Sequence, residues 1–465
     1  MSAIAFHTRN AWPFVLAAAL AACTASKNDN VGPAPTPTPT PAPTPAPDPN
    51  KTAADKTFDQ GQQTFRFDTF GDEAFWTGKL RMNEAVTAVD PATALSVGLK
   101  VDADALPAAV VAGIQNKTIS LTDPKTTIAL LGLNAVIGVK AVPNAAQTGL
   151  TSFGITCALC HSTVDNSFAP GIGHRLDGWP NRDLNVGAIV SLSPDLSVVA
   201  NLLGVDAGNT ANAPTVKAVL KTWGPGKFDA ELFMDGKVAR PDGSTSATLI
   251  PPAFGLRGVN LHTYTGWGSI TQWNAFVAVL EMHGVGNYTD ARLDDAAKFP
   301  IAAANKFGHV SVPAASDQVS SKLGPLEFYE LALEAPTATA GTDFDAAAAA
   351  RGKAVFDGGG KCATCHVAPL YTDAGWNMHS AGEIGIDSFQ ADRSPDGKYR
   401  TTPLRGLFSH DKFSSLNPKR VSGYYHDGRF VTLKDVVDHY AAIPALGVSL
   451  QGTDEADLIE YLKSL

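Results

Sequence analysis

The sequence predicts a mainly α-helical protein of two related domains, the first enlarged by a long, mostly helical insertion. Three observations lead there. The 465-residue chain carries Cys-x-x-Cys-His twice, as Cys157-Ala158-Leu159-Cys160-His161 and Cys362-Ala363-Thr364-Cys365-His366. Look-alike segments flank the two copies. Upstream, Gln60-Gly61-Gln62-Gln63-Thr64-Phe65 matches Arg351-Gly352-Lys353-Ala354-Val355-Phe356; downstream, Pro252 to Gly258 matches Pro403 to Leu407. Finally, an alanine-rich run from Phe344 to Phe356 has high helix propensity. At the end of the chain, Leu458, Ile459, Leu462 and Leu465 fall on one helical face behind an acidic first turn.

Cys-x-x-Cys-His reads as the attachment site of a c-type haem. Two thiols one helical turn apart can each bond a vinyl group of the porphyrin. The histidine that follows supplies a nitrogen to the iron. Four of the five cysteines are used in this way. Cys157, Cys160, Cys362 and Cys365 are expected to hold two covalently bound haems, with His161 and His366 as proximal ligands. A zinc site or a dithiol redox pair would use the same cysteines. Neither requires a histidine directly after both pairs.

Taken in order, residues 1–22 read as a lipoprotein signal peptide. The apolar stretch Ala11 to Ala22 follows Arg9 and is shorter than the ~20 apolar residues of a membrane span. Leu20-Ala21-Ala22-Cys23 resembles a lipobox, whose cysteine is lipidated. Thr24, where Asp would retain a lipoprotein in the inner membrane, points to the outer membrane of a bacterial cell envelope, facing the periplasm. Residues 23–56 comprise the lipidated Cys23 and a Pro-rich, disordered tether. Proline at alternate positions over 33–49 favours polyproline II, which at ~3.1 Å per residue reaches roughly 50 Å.

Residues 57–338 are expected to form the first haem domain. Cys157 lies far beyond Phe65, whereas Cys362 closely follows Phe356, so an insertion is placed at about 68–150. It is rich in Ala, Val and Leu. Residues 339–465 form the second domain. Its order of helix, haem motif, loops and closing helix resembles small cytochromes c. Thr432-Leu433-Lys434-Asp435 is a capping signal for a helix over Val436 to Ala442.

The hydrophobic fraction of 44% is ordinary for a globular protein, and the formal net charge is −9. An acidic chain of this kind is a poor binder of nucleic acid. No second apolar segment is long enough to cross a membrane, so membrane contact is expected through the lipid anchor alone.

Further segments carry a family resemblance. They are Arg400-Thr401-Thr402-Pro403-Leu404-Arg405, Tyr424-Tyr425-His426-Asp427-Gly428-Arg429-Phe430 and Thr432-Leu433 in the second half. In the first half they are Gly171-Ile172-Gly173-His174 and Leu280-Glu281-Met282. With the two haem motifs, these resemble the bacterial di-haem cytochrome c peroxidase family over about 150–465. The resemblance implies reduction of hydrogen peroxide (H2O2) to water at the first haem. Electrons would arrive through the second, from a small one-electron donor protein of cytochrome c or cupredoxin type. It implies His174 as a displaceable sixth ligand of the first iron. It implies Glu281 as the carboxyl that moves a proton during O–O cleavage, with His283 as the fallback. Trp267 falls near the family's bridging aromatic, with Tyr264 and Trp376 as competitors. A calcium ion between the domains is matched by Asn181 and by the backbone carbonyls of Thr401 and Pro403. A homodimer is a further expectation.

One position departs from the peroxidases. Where they place a methionine as the second iron's sixth ligand, this chain reads Val436-Val437-Asp438-His439-Tyr440. Tyr440, Met378 and His439 all stay open as that ligand. Tyrosine there resembles the tryptophylquinone-forming di-haem relatives, and a phenolate would lower the iron's potential. Two other functions therefore stand beside the peroxidase. One is a di-haem oxidase or oxygenase acting through high-valent iron on an organic or protein substrate. The other is a non-catalytic di-haem electron carrier.

Overall fold

The computed structural model describes residues 52–205, 212–373, 377–411 and 423–465, all within one unit, Ala46–Leu465. Cys23, most of the Pro-rich segment and Trp376 lie outside the described residues. The described chain is mainly helical.

Helix α1 (Ala53–Phe67) begins where Thr52 and Asp55 form a reciprocal capping box. It crosses α2 (Ser320–Ala332) at a glycine. A Cβ on Gly61 would lie 2.0 Å from the carbonyl oxygen of Pro325. Only a bare Cα lets the two backbones approach this closely. One turn on, Phe65 is fully buried against Tyr329, with ring centroids 5.5 Å apart.

The same device recurs at the other end of the chain. Helix α3 (Ala346–Asp357), capped by Asp345, crosses α4 (Asp454–Ser464) at Gly352, where a Cβ would lie 1.9 Å from the Asp457 carbonyl oxygen. Phe356 packs on Tyr461 at 5.2 Å. The Gly-x-x-x-Phe match read in the sequence is thus a matched pair of helix crossings. Arg351 clasps Asp457 across the second one, at 2.5 and 2.8 Å.

Residues 68–150 carry short helices, Glu73–Trp76, Met82–Thr87, Pro91–Ser96, Ala108–Gln115 and Pro124–Gly132, joined by turns and loops that make up more of the segment than the helices do. An antiparallel hairpin follows, Val139–Pro143 with Leu150–Ile155, and leads straight into the first Cys-x-x-Cys-His. The segment does not close on itself. Trp76, Leu80, Ile128 and Leu131 share one hydrophobic core with Leu184, Val190, Leu220, Trp223 and Ile250. A second core gathers Phe65, Phe70, Trp267, Phe276 and Phe299, and a third gathers Ala349, Phe356, Leu458, Tyr461 and Leu462.

The capping signal at Thr432 is used, but the helix starts at once and spans Leu433–Ala441. In α4 the buried face is Leu458, Tyr461 and Leu462, with Ile459 and Leu465 half-buried, because Phe356 and Gly352 press on the tyrosine side.

The two halves interlock through charge as well as apolar contact. Arg393, from the second half, is fully buried between Asp229 and Asp235, each 2.8 Å away. The Tyr424–Phe430 segment docks in turn on the first half. Leu249 donates its N–H to the His426 carbonyl at 2.6 Å, and the Lys227 ammonium reaches the Asp427 carbonyl at 2.8 Å. No helix among the described residues is long and apolar enough to cross a membrane.

Candidate functional site

Each Cys-x-x-Cys-His folds as one tight turn. In the first, His161 N–H donates to the Cys157 carbonyl at 3.2 Å; in the second, His366 N–H donates to the Cys362 carbonyl at 2.9 Å. The turn gathers two thiols and one imidazole on a single face. All four cysteines are half-buried and none forms a disulfide.

The two histidines are held alike. His161 Nδ1 lies 3.1 Å from the Pro251 carbonyl oxygen, and His366 Nδ1 lies 2.9 Å from that of Tyr371. A carbonyl can only accept, so Nδ1 carries the proton in each ring and Nε2 keeps its lone pair. Burial pushes His161 down to about 4 and lowers His366 as well, so both rings are neutral at pH 7. An Nδ1–H anchored on a backbone carbonyl is the supporting hydrogen bond of a metal-ligating histidine; His366 also meets the backbone of Thr402. The donor set of each turn therefore fits a covalently attached haem.

Acids act on both turns. The buried Asp373 side chain acts on Cys365 and His366 of the second, and Glu281 on Cys160 of the first. Glu281 ends a π-helical turn, Val277–Glu281, that continues the helix Ile270–Phe276. Such bulges often mark functional positions. Its Oε1 is buried with no hydrogen-bond partner. Burial, then Glu231 and Asp229, push its carboxyl up to about 8. Its charge acts on Cys160 of the first turn. His283, the fallback, has turned away: its ring stacks on Phe75 at 3.7 Å, and burial pushes it down to about 4.

His174 is not brought to His161. Strand Ser162–Val164 pairs antiparallel with Arg175–Asp177, Ser162 opposite Asp177 and Val164 opposite Arg175. The two histidines thus flank opposite ends of the ladder, roughly 14 Å apart at ~3.4 Å per residue. His174 is half-exposed and bonds Asp104, in the 68–150 segment, at 2.9 Å. Asp104 raises its pKa. As a sixth ligand it would have to leave this ion pair.

Trp267 is 2% exposed and packs among Phe276, Phe299 and Trp273. Its indole N–H donates to Asp290 at 3.1 Å, and Arg292 grips the same carboxylate twice at 2.8 Å. Its ring thus belongs to the first half's core, while its loop meets the second half: Arg400 N–H donates to the Tyr264 carbonyl at 3.1 Å. Tyr264 turns its ring edge to His426, with centroids 6.1 Å apart.

Of the three candidates for the second sixth ligand, Tyr440 has its hydroxyl raised by burial and lowered by a hydrogen bond with Tyr425, with Cys365 and Cys362 acting on it more weakly. His439 Nε2 is 2.9 Å from the Ile384 carbonyl oxygen. The Met378 thioether packs on Gly266, where a Cβ would meet Cε at 2.7 Å. The expected calcium contacts share no partner. The Asn181 amide N–H reaches the Gly98 carbonyl at 2.9 Å, while the Thr401 carbonyl accepts the Thr372 hydroxyl at 2.6 Å. Pro403 is half-buried. Among the described residues, no three His, Cys, Asp or Glu side chains converge as a metal cluster.

Sequence reasoning missed Pro251 and Tyr371, which act through backbone carbonyls and leave no side-chain signal. It also missed Asp229, Glu231 and Arg393, whose grouping is purely tertiary.

No family model and no curated protein matches the chain. Two solved structures are similar to parts of it. One is a Kuenenia stuttgartiensis hydrazine synthase pressurised with xenon, at 20% identity and TM-score 0.27, covering 47% of this chain and 73% of the other. The second is a MauG-like protein associated with microbial copper homeostasis, at 18% identity and TM-score 0.27, covering 49% and 76%.

Proposed function

We propose that the chain is a di-haem c-type oxidoreductase of the cell envelope that reduces H2O2 to water. Electrons would pass from a small donor protein through the Cys362–His366 site to the Cys157–His161 site. The observation that carries this reading is the pair of matched turns, each offering two cysteines and an imidazole anchored through Nδ1 on a backbone carbonyl. A bound haem supplies a redox-active iron to each site.

The chain's own residues then have distinct tasks. His161 and His366 ligate through Nε2, held in place by the carbonyls of Pro251 and Tyr371. Glu281, protonated at neutral pH, delivers a proton to the departing peroxide oxygen. Trp267 and Tyr264 sit in the loop at the seam and offer aromatic steps between the sites. Cys23 would carry the lipid that keeps the enzyme at the outer membrane. The domain limits at 57–338 and 339–465 are part of this proposal, as are His174 as a displaceable ligand and a calcium ion near Asn181, Thr401 and Pro403.

A second reading draws on Tyr440. A phenol rather than a thioether at the second site favours a low potential there, which suits an oxidase or oxygenase acting on an organic or protein substrate. One experiment separates these. The purified protein is mixed with H2O2 in the presence of a reduced cytochrome c or cupredoxin. Two donor molecules oxidised per peroxide support the peroxidase. Peroxide consumption with a long-lived spectral change and no donor oxidation supports the second reading. Two spectrally inert centres leave only the electron carrier.

A further inference from the structure

The helix Ala108–Gln115 carries no charged residue and a single polar one, Gln115 at its end. A helix apolar on every side is ordinarily sunk in a core. Here only Gly113 is buried, while Val110, Val111 and Ile114 are half-buried and the three alanines after Pro107 are exposed. The helix lines a cavity of about 440 Å³ whose walls include Leu106, Val111, Ile114, Ile119, Phe168 and Ile172. The loop after the helix folds back on it. Ile119 donates its N–H to the Gly113 carbonyl at 2.9 Å, and a Cβ on Gly113 would meet Ile119 Cδ1 at 2.6 Å. That turn sets Lys117 at the mouth, in the left-handed region at φ 62°. Lys117 is exposed, is the one charged residue in the lining, and has no ion-pair partner among the described residues. The opposite wall comes from the chain leading to His174. Ile172 pairs with Val101, and Phe168 turns its ring edge to His174 at 5.5 Å.

We propose that this cavity binds a small molecule with an apolar body and one anionic end. Its volume falls in the range of small-molecule sites, which are concave, mostly apolar and furnished with a few polar groups. The aliphatic walls and the Phe168 ring take the body, and burying both surfaces from water supplies the affinity. The Lys117 ammonium at the mouth takes the charge, and so favours an anion over a neutral molecule of the same shape. The concave shape suits a separate molecule better than a flat lipid surface. Because Phe168 is shared, an occupant also bears on the wall that carries the pair of His174 with Asp104. The proposal does not depend on which reaction the haems perform.

The test titrates the haem-loaded protein with decanoate, and with decanol as its neutral counterpart, by calorimetry. Decanoate is expected to bind once per chain with a dissociation constant of ~10–100 µM. Lys117→Gln should weaken decanoate about fourfold and leave decanol unchanged. Val111→Trp, which fills the cavity, should weaken both by about tenfold or more. No saturable binding of decanoate to the wild type, or wild-type binding in V111W, overturns the site. Equal affinity of the wild type and K117Q for decanoate overturns the anionic end. Should V111W fold poorly, photolabelling of the wild type with a diazirine-bearing decanoate decides. Label within 103–121 and 168–172 supports the site, and label elsewhere overturns it. Phosphatidylglycerol vesicles that protect 103–121 from hydrogen exchange, where decanoate does not, make this a membrane contact and also overturn it.

Discussion

A carboxyl with an enclosed oxygen is unstable when ionised, and Glu281, half-buried with Oε1 out of reach of solvent, is such a group. Its ordinary value is 4.5 and its folded value is about 8. Between those limits the unfolded chain releases the proton that the folded chain keeps. Stability is therefore fully present below about 4.5 and is lost as pH rises toward 8. Glu281→Gln is expected to lower peroxide turnover by ~10²–10⁴. It should also flatten the fall in stability, raising the melting temperature near pH 8 by roughly 2 °C. Turnover assays and calorimetry across pH 5–9 check both. In the wild type, activity should fall as pH rises through about 8, because the acid form is the one that donates. Tyr440 carries a second prediction. Tyr440→Phe should raise the midpoint potential of the second iron and change its visible spectrum. Met378→Leu and His439→Asn, at side chains that face Gly266 and Ile384, should leave both unchanged; redox titration of the three variants checks this.

At the scale of elements, a side chain on Gly61 or Gly352 would overlap a carbonyl oxygen of the crossing helix, at 2.0 and 1.9 Å. Gly352→Ala is expected to destabilise the second half by ~1–3 kcal/mol, as overpacking does. The measure is a lower denaturation midpoint followed at the second haem, with the first haem's environment less affected. The crossings were legible in the sequence as a repeated Gly-x-x-x-Phe, because a notch and a ring must recur wherever two helices meet this way. The hairpin Val139–Ile155 was not. Its strands are short, and Val, Ala and Leu in this stretch suit a helix as well as a strand until a partner strand fixes the register. Helix Leu433–Ala441 began where Thr432 signalled, three residues earlier than expected, because the cap residue adjoins the helix directly.

For the whole molecule, the seam between halves is partly ionic. Arg393 is fully buried with Asp229 and Asp235. Removing the cation strands two buried carboxylates, so Arg393→Met should cost ~3–5 kcal/mol. It should also slow electron passage from the second site to the first, read as delayed reoxidation of the second haem after peroxide addition. Thermal unfolding and rapid-mixing spectroscopy check the two effects.

The sequence by itself determined the pieces whose chemistry is local: two thiol pairs, two imidazoles, the cap at Thr432, and the helices that open and close the second half. Spacing of a few residues decides these, since one turn of backbone carries all their atoms. Tertiary structure alone decided which acid acts on which turn, that His174 pairs with Asp104, and that Arg393 faces three carboxylates of the other half. Those neighbours are remote in the chain, and only packing sets the burial and the fields that give them their protonation and charge.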